Sequence, residues 1–118
     1  MSDVRDILRT EFSERFVEAM RNRMVASYYK YGPLASNVHR DNKQDNIKIM
    51  ANLYKRLALY EDTGNTEWLV DVGNFAMIEF MYPQHPRAHF RATDSSESPG
   101  VGGLTTRELE VFPREDEP

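Results

Sequence analysis

Glu67, Asp71 and Asn74 are spaced i, i+4 and i+7, which on a helix sets two carboxylates and an amide along one face. The stretch around them, from Trp68 to Met81, is otherwise almost wholly apolar, with only Gly73 and Glu79 as further exceptions. A helix this apolar is buried on most sides, and a buried carboxylate needs a cation, a proton or a metal. Two arrangements meet that need. In one, Glu67 faces the positive end of the helix dipole, Asp71 pairs with an arginine of the N-terminal helix, and Asn74 makes a buried hydrogen bond. In the other, acidic side chains from a second helix join Glu67 and Asp71 around a divalent cation. Glu14 and Glu18 lie at i, i+4, and Glu11 with Glu14 forms an E-x-x-E pair. Both arrangements stay open at this level, and the upstream glutamates also read as a solvated face with ion pairs along the helix.

Other chemistries find little footing. There is no cysteine, which removes thiol catalysis, disulfides and thiolate metal sites. Gly100, Gly102 and Gly103 have no Lys-Ser/Thr behind them, so no phosphate-cradling loop is formed. No serine has the strained-turn setting of a nucleophile. His85 and His89 have the spacing of two helical metal ligands, but Pro86 between them opposes a helix unless it occupies a first turn. His39 stands alone and is expected on the surface.

The elements that must position these residues follow from periodicity. Residues 3–31 carry Val4, Ile7, Leu8, Phe12, Phe16, Met20, Met24, Tyr28 and Tyr31 on one face, the pattern of an amphipathic helix. Unbroken, it would run about 43 Å. Ser2 is a candidate N-cap, and a break near Thr10–Ser13 is open because both residues can cap a second helix. Gly32-Pro33 ends the pattern, and residues 32–43 read as a loop. A second helix over 44–62 has Ile47, Met50, Leu53, Tyr54, Leu57 and Tyr60 as its stripe. Gly64 is its natural stop, Asn65 or Thr66 caps the next helix, and Gly73 offers a place for a partner to pack closely. The short turn sends the third helix back antiparallel. The predicted fold class is all-α: a hairpin over residues 44–81 packed on the long N-terminal helix, in a domain of residues 1–91. Residues 92–118 are expected to be a loop and a flexible acidic tail, with one helical turn over 107–111.

A chain of 118 residues supports one domain. Its net charge of -4 is set by the tail, where residues 92–118 carry seven acidic residues against two arginines. No Lys/Arg block interleaves with aromatics, so direct nucleic-acid binding is not expected. No apolar run is long enough to span a membrane. The start M-S-D-V-R-D lacks a following apolar stretch, and a cytoplasmic protein is expected. One long helix and a hairpin leave apolar surface that a second copy would cover, so a homo-oligomer is expected.

Two sets of words in the sequence carry a resemblance. The pattern K-Y-G (Lys30 to Gly32), then L-x-x-Y-E-D-T-G (Leu57 to Gly64), then E-W-L-V-D-V-x-N-F (Glu67 to Phe75) resembles the all-α, MazG-like nucleotide pyrophosphohydrolases over about half of the chain. The wider wording, including T-G-N-T-E and A-H-F-R-A-T-D-S-S-E-S-P-G, is similar to small uncharacterised proteins of bacteriophages, particularly those of actinobacteria. The first resemblance implies acidic residues that hold Mg²⁺ on the phosphates of a nucleoside triphosphate. Carried over, it makes Glu67 and Asp71 catalytic residues and metal ligands, with Glu14 and Glu18 completing the metal set. Asn74 would then donate to base or sugar, and Lys55 or Arg56 would neutralise phosphate charge. It also implies a site that either hydrolyses the nucleotide or only binds it. The second resemblance implies no established function; the alternative, a small phage interaction module that binds a host protein, rests on the long amphipathic helix 3–31 and the apolar island Leu109–Val111–Phe112 in the tail.

Overall fold

The computed structural model describes residues 3–39 and 46–91. Among these residues there are five helices and no strand: α1 (Val4–Glu11), α2 (Glu14–Tyr31), α3 (Leu34–Val38), α4 (Ile49–Thr63) and α5 (Glu67–Met81). The all-α class and the hairpin are as expected. The loop, helical turn and acidic tail expected over 92–118 lie outside the described residues.

The N-terminal helix is broken where Thr10–Ser13 left room for it. Phe12 is extended, at φ -142° and ψ 149°, and α2 starts at Glu14. The cap of α1 is Asp3, whose Oδ1 accepts from Asp6 N at 2.9 Å; that hydrogen bond holds the Asp3 carboxyl below the usual carboxylate range. Residues 3–13 group with 89–91, while Glu14–Ala88 form a second compact unit. The second unit holds the three main helices.

Within Glu14–Ala88, α4 and α5 pack as the hairpin, α2 packs on α5, and α3 touches α2. Gly64 turns the hairpin in the left-handed conformation (φ 72°), with its N–H on Tyr60 O, a backbone state that costs other residues. Of the two expected caps for α5 it is Asn65 that acts: its Oδ1 accepts from Glu67 N at 3.0 Å, while Thr66 makes no side-chain cap. The close packing point at Gly73 is used by α2. A Cβ there would stand 3.1 Å from Phe16 Cζ and 3.4 Å from Met20 Sδ, so glycine sets how near the two helices come.

Two expectations change. The stretch 32–43, read as loop, contains α3. Gly32 reverses the chain at φ 83°, Pro33 at φ -59° precedes the helix, and Leu34 and Val38, at i and i+4, face the core. Helix α4 begins at Ile49 rather than 44. Ile47 joins the core cluster and its N–H is bound to Asn37 O at 3.1 Å, so residues 46–48 tie α4 to α3 instead of extending it. The core is Val38, Ile49 and Ile78, with Met24, Leu34, Ile47, Phe75 and Tyr82 packed against it.

Candidate functional site: an arginine-headed cleft

The polar stripe of α5 meets arginines from two helices. Asp71 is 8% exposed, and Arg23 of α2 grips it with two hydrogen bonds, Nε to Oδ1 and Nη2 to Oδ2, both 3.3 Å. A paired contact of planar guanidinium and carboxylate is the strong form of this interaction. Arg23 Nη1 also reaches Glu67 Oε1 at 3.4 Å. From the other side Arg56 of α4 places Nε 3.7 Å from Asp71 Oδ2. Arg56 is itself held by Asn52, whose Oδ1 accepts from Nη1, and its guanidinium carbon lies 4.9 Å from the centre of the Phe75 ring, within cation–π reach. Asp71 thus joins three helices at one point, and removing it would leave two cations facing each other.

Asn74, 5% exposed, lies one turn further along. Its Nδ2 donates to Met20 O at 3.2 Å. A carbonyl only accepts, so the amide must turn its nitrogen to Met20 and its oxygen away. That Oδ1 is buried and has no hydrogen-bond donor.

Helices α2 and α4 both lie on α5 and leave a space between them. This cleft has a volume of about 530 Å³, within the usual range for small-molecule sites. Arg23, Arg56 and Asp71 stand at its head, and Met24, Leu34, Ile47, Phe75 and Ile78 give it an apolar lining. Tyr28, Tyr31, Asn37, Asn52 and Asn74 border it with aromatic faces and amides. The cations of the lining are Arg23 and Arg56 and its anion is Asp71, so its formal charge is +1 from these three.

The expected site residues divide. Asp71, Asn74 and Arg56 come together, with Glu67 joined through Arg23. Lys55, next to Arg56, is exposed on α4 and does not line the cleft. Glu14 and Glu18 are exposed. At about 100° per residue they lie roughly 180° and 140° around α2 from Arg23, away from the face that meets α5. The magnesium set implied by the resemblance is therefore not assembled: the Asp71 oxygens are taken by guanidinium groups, and no group of three or more His, Cys, Asp or Glu that could hold a metal ion occurs among the described residues. His85 sits in a turn, its Nδ1 accepting from Arg87 N at 2.9 Å, so no helix presents it with His89. His39 is exposed, as expected, and stacks edge-on to Tyr82 at 5.6 Å.

One of the two expected arrangements paired Asp71 with an unspecified arginine of the N-terminal helix, and that arginine is Arg23. The signal was available: Arg23 stands between Met20 and Met24, on the edge of the stripe that packs on α5. Tyr28 and Tyr31 end the apolar stripe of the N-terminal helix and stand exposed, and Asn52 carries no signal in the spacing.

No helix among the described residues is long and apolar enough to cross a membrane. Compared with known proteins, the chain matches no family model, no curated protein and no solved structure.

Proposed function

We propose that the protein binds a nucleotide in the cleft between α2, α4 and α5, as a MazG-like helical module that uses its acidic stripe to orient arginines. One observation carries the reading: a 530 Å³ cleft with Arg23 and Arg56 in its lining beside an apolar floor. Arginine forks suit phosphate oxygens, and exposed tyrosines offer faces on which a base can stack. A carboxylate that locks two arginines before the ligand arrives lowers the ordering cost of binding. Hydrolysis needs a metal or a general base directed at phosphate, and the two acids placed here are turned to arginine. The reading is thus of a binder, with the phage origin suggested by the wording of the sequence as its setting.

The test is a thermal-shift panel of ribo- and deoxynucleotides on the full chain, with product analysis of each mixture. Stabilisation by at least one nucleotide, weakened in Arg56→Gln, is expected. No shift with any nucleotide would sink the reading.

A second reading rests on the exposure of Tyr28 and Tyr31, 56% and 64%, along an open groove. An amphipathic helix of a host protein could occupy the same groove. A photo-crosslinker at Tyr31 would join one host protein in defined stoichiometry; crosslinking unaffected by Arg23→Glu would remove this alternative. The chain itself is expected to pair with a second copy, because Met50, Tyr54 and Leu57 keep α4 apolar on an exposed face.

A further inference from the structure

Resting on that reading, we infer that the cleft takes a nucleoside monophosphate without metal, in preference to a triphosphate. The charge at its head decides this. Arg23 and Arg56 bring two positive charges, and Asp71, held by both, removes one; Glu67 reaches Arg23 at 3.4 Å and, with a side chain 61% exposed, offsets only part of the other because water screens it. A phosphomonoester carries roughly -1.5 to -2 at neutral pH, which two guanidinium groups can meet with several charge-assisted hydrogen bonds. A triphosphate carries about twice that and depends on a cation to offset the remainder. Nothing in the lining provides it: Asp71 is engaged on both oxygens, and no third acidic or imidazole ligand joins it among the described residues.

The rest of the cleft fits the other half of such a ligand. Arg56 is backed by Asn52 and Phe75, which fixes its fork, while Arg23, held on Asp71 through Nε and Nη2, keeps Nη1 on the half-exposed side, where a phosphate oxygen can replace the 3.4 Å contact with Glu67. The apolar floor accepts a base.

Calorimetric titration of the full chain in EDTA, with the nucleoside, its 5′-monophosphate and its triphosphate, tests the inference. Inorganic phosphate alone serves as the anion control. The monophosphate should bind at least about tenfold tighter than the triphosphate, the nucleoside or inorganic phosphate, a difference of about 1.4 kcal/mol. Adding Mg²⁺ should leave its affinity unchanged. Arg56→Gln should abolish the advantage of the monophosphate over the nucleoside, while Arg56→Lys, which keeps the charge, retains part of it. Melting curves of both variants confirm that they fold. Tighter binding of the triphosphate, or binding that requires Mg²⁺, would overturn the monophosphate assignment and leave nucleotide binding standing. Failure of nucleoside, monophosphate and triphosphate alike would remove both.

Discussion

At the scale of single residues, Asp71 is the hinge of the argument. Its carboxylate is buried, and burial of an ion is costly unless its partners are well placed. Two arginines from different helices supply them. Asp71→Asn keeps the shape and halves the acceptor capacity, leaving Arg23 and Arg56 facing each other across a neutral amide. The variant should lose about 2 kcal/mol, the scale of hydrogen bonds to charged groups, read as a Tm lower by roughly 8–16 °C. A melt within a degree or two of the parent would mean that the arginines are satisfied by solvent. Sequence spacing alone led to Asp71 and Asn74, because a polar residue on a greasy helix is conspicuous. It did not single out Arg23, since a long amphipathic side chain at the edge of an apolar stripe reads equally as surface or as partner.

At the scale of elements, two glycines set how the helices meet, for different reasons. Gly64 closes the hairpin at positive φ with nothing near its absent side chain. Gly64→Ala should therefore cost only the conformational penalty, about 1 kcal/mol, seen as a Tm lower by roughly 4–8 °C. Gly73 has ordinary helical backbone and a crowded outlook. Gly73→Ala gains helix propensity of about 1 kcal/mol, and the Phe16 ring, 36% exposed, can yield the few tenths of an ångström required. A small net gain of about 0.5 kcal/mol is expected by chemical denaturation. Gly73→Leu should instead push α2 from α5 at a cost of about 1–3 kcal/mol, and because α2 carries Arg23, nucleotide affinity should fall with it. A Gly73→Leu protein as stable as the parent would show that α2 is held mainly elsewhere.

At the scale of the whole molecule, the compact helical unit Glu14–Ala88 buries few large side chains. Among the described residues Ile49 is the one large side chain fully covered, and Tyr54, Leu57, Phe80 and Met81 stay exposed. A small core stabilises a short chain only modestly, and association is the ordinary remedy. Sedimentation equilibrium should give a mass near twice the 13.8 kDa of one chain, and Tyr54→Lys with Leu57→Lys should return it to one. A single-chain mass for the parent at high concentration would refute the pairing.

The sequence by itself determined what depends on neighbours along the chain. The helical class, the hairpin with its stop at Gly64 and the polar face of Glu67, Asp71 and Asn74 follow from local spacing, because helix periodicity and backbone preference act within a few residues; the break near Thr10–Ser13 and the choice of Asn65 over Thr66 as cap stayed open at that level. Tertiary structure decided the rest. That α3 forms depends on Val38 reaching Ile49 and Ile78, and that α4 starts late depends on Ile47 being drawn to Asn37. Whether a buried aspartate meets metal or arginine depends on which faces of α2 and α4 turn toward α5. The azimuth of Glu14 against that of Arg23 settles it, and that azimuth is fixed by packing across long sequence separations, which no local pattern records.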